Sequence, residues 1–317
     1  MALTIEQGAF AYAKPSAGSR DQGAWLTFRA LKTSVALVTC TEYPDLCDDD
    51  RLLIPAFERR GCRAEPVLWD DQARRWGDYD AVVPRSTWDY HRRLPEFLGW
   101  LDRLERESVP VWNRMPTLRW NTNKRYLRDL EAAGIPVTPT VWVAKGSAVT
   151  LRELMQSVGS DALVVKPAVS ASAFETWRTD RSRVAEDEAR FSRMVAHRDL
   201  MVQPFLPVFE TDGEISHVFL DGAFSHAVRK RPRPGDFRVQ EEHGGTAERT
   251  EASADLVRQA ARALAAAPEA TLYARVDGVV INGGLVVTEL ELVEPRLYFG
   301  WEPGAADRFA DRLLALR

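Results

Sequence analysis

The run VVTELELVEP, residues 286–295, has the composition of a β-strand, yet it carries Glu289, Glu291 and Glu294 among Val and Leu. Side chains alternate faces along a strand, so Glu289 and Glu291 share one face and Leu290 and Leu292 the other. Two carboxylates roughly 6.6 Å apart repel by about 2.5 kcal/mol at an effective dielectric of about 20. Such an arrangement calls for a cation. Upstream, YARVDGVVIN (273–282) reads as a second strand, and Gly283-Gly284 as the two-residue turn of a hairpin. Antiparallel pairing across that turn would bring Asp277 towards Glu289 and Glu291. Clustered hard oxygens suit Mg²⁺. The competing reading is a strand face whose acids point at water.

Bulk properties narrow the class. The chain has 317 residues, 45% hydrophobic and 28% charged, which fits a globular protein of about two domains. A net charge of −4 supplies no basic field for nucleic acid. No apolar run reaches the roughly 18 residues that suggest a membrane span, and the N-terminus has no signal-peptide core. Three cysteines, Cys40, Cys47 and Cys62, lack metal-ligand spacing and fit a reducing cytoplasm, so a cytoplasmic protein is expected.

Along the chain, residues 1–32 show no clear periodicity and read as an accessory extension. From TSVALVTC (33–40) the pattern alternates: a helix over 48–60, strands at 64–69 and 79–85, a helix over 94–107 and a strand VPVWN at 109–113. This makes an α/β segment over 33–120. A second segment, 121–200, opens with the helix NTNKRYLRDLEAAG. It contains a capping box at Thr150–Glu153 and a strand ALVVKP (162–167) followed by the loop AVSASAF. A third, 201–317, holds VQPFLP, two strands, a basic loop, a helix over 252–266 and the acidic hairpin.

Lys166 ends a strand of apolar residues, and an ammonium buried there needs an anion such as a phosphate or a salt-bridge partner. Lys124 alone says little. The run RKRPRP (229–234) reads as a nucleic-acid patch, a targeting signal or a phosphate lining; Arg238 and the Gly244-Gly245 amides downstream favour the last. The chain has neither GxxxxGK[ST] nor GxGxxG, so any nucleotide site is built another way. RSTWDY (85–90) clusters polar and aromatic residues just past a strand end, where α/β sheets bind ligands.

In their order, the lysine ahead of the core, VVKP, VQPFLP, the basic loop with FR and the terminal acidic strand resemble the ATP-grasp ligases. The layout is similar to that of the prokaryotic glutathione synthetases. RSTWDY, FSHAVRKRP, GDFRVQ and TELELVEP resemble the subfamily of the O-ureido-serine cyclo-ligase of cycloserine biosynthesis. The resemblance spans 33–317. It implies a mixed α/β fold with a Rossmann-like substrate domain (33–120), a central lid domain (121–200) and a C-terminal catalytic domain (201–317). It further implies that Lys124 and Lys166 hold the phosphates of ATP and that Gln203 to Leu206, with Phe205, form a hinge against adenine. Glu214 would bind the ribose, while Lys230 and Arg238 would meet the γ-phosphate and the transferred phosphoryl group. Gly244 and Gly245 would lie near the reacting centre. Asp277, Glu289 and Glu291 would hold a pair of Mg²⁺ ions.

Three departures stand out. A second glutamate, Glu291, replaces the usual asparagine. The lid loop is Ser/Ala-rich rather than Gly-rich, with Ser170 and Ser172 as phosphate donors. Ser216 stands where glutathione synthetases carry arginine, which speaks against glutathione synthesis. Substrate contacts are expected from Arg85 (a carboxylate), Asp89 (an ammonium), Trp88 and Tyr90. The expected activity is an ADP-forming ligation of an amino-acid-like carboxylate with an amine, in one molecule or between two. A non-catalytic nucleotide-binding scaffold is the main alternative, followed by an ATP-grasp kinase and a nucleic-acid module. A homo-oligomer is compatible with the sequence.

Overall fold

Three short apolar runs without helical periodicity become the first sheet, in the order β2-β1-β3. The structure, a computed structural model, describes residues 33–316, and the extension expected over 1–32 lies outside them. Strand β1 (Ser34–Thr39) is buried on both faces between two parallel neighbours, as a central parallel strand must be. The helix expected over 48–60 is two helices, α1 (Asp48–Arg51) and α2 (Leu53–Glu58). Pro55 has no N–H to give the Arg51 carbonyl, so the ladder breaks there. β2 (Arg63–Leu68), β3 (Ala81–Ser86) and α3 (Leu94–Arg106) follow, α3 burying Phe97, Trp100, Leu101 and Leu104. The strand expected at 109–113 is a single parallel bridge between Val82 and Val111. Pro110 can only accept, and beyond Trp112 the chain leaves the sheet.

Next come α4 (Met115–Asn121) and α5 (Tyr126–Ala132). Lys124 lies between them rather than in a helical turn. β4 (Val141–Val143) leads to α6 (Leu151–Val158), which starts with the expected Thr150–Glu153 capping box and stops at left-handed Gly159. β5 (Ala162–Pro167), β6 (Trp177–Asp180), α7 (Val184–His197) and β7 (Leu200–Pro204) complete an antiparallel sheet, β4-β7-β5-β6. The boundary expected at 200/201 therefore falls inside β7, whose backbone pairs with β5 on one side and β4 on the other.

The last sheet follows a short α8 (Val208–Thr211). It contains β8 (Glu214–Leu220), β9 (Ala223–Arg231), β10 (Thr246–Thr250), β11 (Tyr273–Ile281) and β12 (Gly284–Glu291), in the order β10-β9-β8-β11-β12. Helices α9 (Ala254–Leu264) and α10 (Ala305–Ala315) pack against it. The β11–β12 turn is Asn282-Gly283, both with positive φ (51° and 78°), one residue earlier than expected. Asn-Gly suits the type I′ turn, which needs φ > 0 at both positions. A bulge then slips the register at Thr288, so that Glu289 faces Asp277 and Glu291 faces Arg275.

β12 is the edge of its sheet, yet its outer backbone groups are taken. Val287 exchanges hydrogen bonds with Pro136 and Thr138, and the Leu285 amide donates to Gln259 Oε1. Tyr126 accepts from the Leu290 amide, while Asn121 bridges the Leu290 carbonyl and the Leu292 amide. Asn113 donates to the carbonyls of Tyr273 (2.9 Å) and Leu292 (2.8 Å) and accepts from the Leu272 amide (2.7 Å). These bonds leave no free edge for another strand.

Arg85, expected to meet a substrate carboxylate, is fully buried instead. It donates Nε and Nη2 to Asp50 Oδ1 (3.0 and 2.9 Å) and Nη2 also to the Pro295 carbonyl. A strand-end position told its place in the chain but not its depth.

No helix among the described residues is long and apolar enough to cross a membrane. Asn113→Ala should orphan three buried backbone groups and lower stability by about 2–4 kcal/mol, read from the urea midpoint. Arg85→Met should cost about 3–5 kcal/mol by stranding the Asp50 charge, and adding Asp50→Asn should recover part of it.

Candidate active site

The three sheets meet around one cleft that encloses about 1490 Å³, counting solvent at its mouth. One end is apolar, with Val164, Phe205, Leu206, Phe209 and Leu290 in its lining. Gln203 reaches it from β7 and donates Nε2 to Thr140 Oγ1 at 2.8 Å. The Phe205 amide is given to the Ala162 carbonyl (2.9 Å), while the Leu206 amide has no acceptor among the described residues. An edge of unspent backbone polarity beside apolar walls suits a planar heteroaromatic base.

The other end is ionic. Asp277, Glu289 and Glu291 each offer an oxygen within 4.8 Å of the other two. Their cations are tethered to the fold. Lys230 lies between Asp277 (2.8 Å) and Glu214 (2.6 Å), and Arg275 bonds both Asp277 and Glu291. Lys124, held by its amide on the Ala168 carbonyl, pairs with Glu289. Asp277 also accepts from Ser216 Oγ at 2.7 Å, and Glu214 from Thr288, the bulged residue.

Burial alone would push these acids up. Arg275 and Lys230 overcome it at Asp277, and Lys124 and Lys166 at Glu289, so both carboxyls are held below their ordinary range. At Glu291, burial and the charges of Glu289 and Asp277 outweigh Arg275, raising it to about 7. Two oxygen-rich glutamates open to the cleft, backed by a buried aspartate, fit a hard divalent cation of the Mg²⁺ kind.

Lys166 is different. Its ammonium lines the cleft without hydrogen bond or ion pair among the described residues, and burial, only partly offset by Glu289, lowers its pKa. Ser170 and Ser172, from the loop after β5, line the same wall. Arg238 also lines the cleft, but Asp236 holds its guanidinium (Nη2 to Oδ2, 2.8 Å), so an incoming anion would have to share it.

Other expected site residues lie elsewhere. Trp88 and Tyr90 line the cleft; Asp89 does not. Its carboxylate accepts from Trp69 Nε1 at 2.8 Å and faces Arg93, so no substrate ammonium meets it here. Gly244 and Gly245 lie outside the lining. Glycine is required there by the loop itself: Gly244 has φ 81°, and a Cβ on Gly245 would sit 2.2 Å from the Val239 carbonyl oxygen.

Sequence reading missed Arg275 and gave Glu294 no role, although both line the cleft. Arg275 carried the same signal that singled out Lys166, a cation inside an apolar strand, two residues from Asp277 and so on its face.

Comparison with known proteins identifies the family and the fold. A family profile described as "D-cycloserine synthetase DcsG, N-terminal domain" matches residues 35–113. The cycloserine biosynthesis protein DcsG of Streptomyces lavendulae is 32% identical over 88% of this chain and 97% of its own. The crystal structure of D-cycloserine synthetase DcsG superposes with a TM-score of 0.81 at 31% identity, covering 89% of this chain and 99% of that one. D-alanine–D-alanine ligase from Bacillus anthracis, solved with ATP, shares the fold at a TM-score of 0.63 and 15% identity, over 89% and 96% of the two chains. The chain is therefore an ATP-grasp enzyme of the ligase type, and it belongs to the family of the cycloserine biosynthesis protein DcsG.

Proposed function

We propose that this enzyme activates the carboxylate of a small amino-acid-like substrate as an acyl phosphate and forms a C–N bond by attack of an amine-type nucleophile, releasing ADP and phosphate. The observation that carries the reading is the unpartnered Lys166 ammonium facing three clustered carboxylates across one cleft. A free buried cation calls for an anion and the carboxylates for a cation, and a magnesium nucleotide brings both.

Adenine takes the apolar end, against Phe205 and Leu290, with the Gln203–Leu206 backbone reading its edge. Glu214, which still has lone pairs beside those given to Lys230 and Thr288, accepts from the ribose. Lys124, Lys166, Ser170 and Ser172 hold the phosphates, and Lys230 and Arg238 the γ-phosphate end. Asp277, Glu289 and Glu291 would hold two Mg²⁺ ions, whose chemistry when bound is to neutralise phosphate charge. A substrate carboxylate oxygen attacks the γ-phosphorus and ADP leaves with the bridging oxygen. The nucleophile's nitrogen then adds to the acyl carbon, phosphate departs, and the nitrogen's proton passes to solvent. Arg238 stabilises the tetrahedral oxyanion. The three free, buried cysteines support placing the reaction in the cytoplasm. The names of the relatives favour a serine-derived substrate and ring closure.

The test is ADP release with Mg·ATP across a panel of amino acids and O-substituted serines, with mass spectrometry of the products. Stimulation by one compound, whose product has lost water or a small group, is expected; silence across the panel with intact ATP binding would refute the substrate class. Lys166→Ala and Glu289→Ala should each lower ADP release at least about 100-fold, or roughly 2.7 kcal/mol of transition-state stabilisation. Full activity in either variant contradicts the assignment.

A further inference from the structure

Charge matching inside the cleft leaves the Lys166 ammonium and one buried acid over. Among the buried and half-buried acids, Glu214 and Asp277 share Lys230, Glu289 has Lys124 and Glu291 has Arg275. Glu294 has none. It is only 8% exposed, it lines the cleft, and its carboxylate makes no hydrogen bond or ion pair among the described residues. Nor does it belong to the group of carboxylates close enough together to hold a metal. Burial of an unpaired carboxylate is costly, and here it pushes the group up to about 8, with Glu291 adding to the effect.

The chain spends several interactions on holding Glu294 in this place. Trp88 Nε1 donates to the Glu294 carbonyl at 2.9 Å, and the buried Arg85 holds the next carbonyl, that of Pro295. Two aromatic side chains border the same part of the cleft, Trp88 and Tyr90. The Tyr90 hydroxyl is likewise without a hydrogen bond among the described residues. A pinned, unpaired acid bordered by the Trp88 and Tyr90 side chains is a receptor for a cation, attracted by the carboxylate.

Building on the ligase reading above, we infer that Glu294, with Trp88 and Tyr90, binds the α-ammonium group of the amino-acid substrate and so selects amino acids over other carboxylic acids. This is the duty expected of Asp89, taken instead by an acid that lines the cleft. An amine kept protonated against Glu294 has no lone pair to attack the acyl phosphate. The nucleophile is then a second nitrogen of the substrate, which favours ring closure over self-condensation.

The experiment measures binding, so that it does not depend on turnover. Protein saturated with a non-hydrolysable ATP analogue and Mg²⁺ is titrated calorimetrically with O-substituted serines and with the matching 3-substituted propionates, which lack only the amine. The unaltered protein should bind the serine tighter by about tenfold or more. Glu294→Gln should shrink that preference to within about threefold, while Glu294→Asp should keep an intermediate one and the ATP analogue should bind all three proteins alike. An undiminished preference in Glu294→Gln, or none in the unaltered protein, overturns the inference. Should Glu294→Gln lose the ATP analogue through misfolding, Glu294→Asp decides: a preference equal to that of the unaltered protein overturns the assignment, and a reduced one supports it. Substrate-stimulated ADP release without amine preference refutes the role of Glu294 alone. Amine preference without ADP release refutes the ligase reading alone.

Discussion

The rest of the structure is arranged around carboxylates buried on a two-stranded hairpin. Asp277 and Glu289 face each other across β11 and β12, and Glu291 follows two residues on. Left alone they would repel, and burial would neutralise them by protonation. Cations brought from three places keep Asp277 and Glu289 charged and partly offset the burial of Glu291: Lys124 from between two helices, Lys230 from β9 and Arg275 from β11 itself. Because each cation is held by a different element, the hairpin can be fully compensated only when all of those elements are in place. The hydrogen bonds of Asn113, Asn121, Tyr126 and Thr138 to the outer edge of β12 fix the hairpin against the same neighbours. Neutralisation and backbone satisfaction thus specify one arrangement by independent means, the consistency between levels that gives a chain a single native state.

Local chemistry with a strict period was legible in the sequence. Alternation along 286–292 assigned the acids to one face, and the capping box at Thr150 started a helix where it should. What escaped was depth and register. The turn moved by one residue because Asn282 accepts a left-handed conformation as Gly283 does, and the Thr288 bulge then restored Glu289 to the Asp277 side. No pattern announces a bulge of that kind in advance. In RSTWDY the strand-end rule found the right neighbourhood, yet it could not separate Trp88 and Tyr90, which reach the cleft, from Arg85 and Asp89, which are consumed by Asp50, Trp69 and Arg93. Each of these two side chains has a partner 20 or more residues away, Asp50 for Arg85 and Trp69 for Asp89, which spacing along the chain does not encode.

The loop after β5 shows how a chain without glycine meets a demand usually met by it. Ser172, Ala173 and Glu175 all have positive φ, at 48°, 53° and 52°. For residues with a Cβ that conformation costs roughly 1–2 kcal/mol each, so tertiary contacts must repay it. Phe174, between them, supplies contacts. Its ring lies 4.9 Å from that of His91, and the guanidiniums of Arg92 and Arg198 lie 5.6 and 5.8 Å from its centroid. A glycine-rich loop would reach the same backbone shape without an anchor. Here the shape is tied to Phe174, and Phe174 is tied to the 3₁₀ turn that carries Tyr90. The loop that presents Ser170 and Ser172 is therefore coupled through this ring to the wall of the cleft next to Glu294.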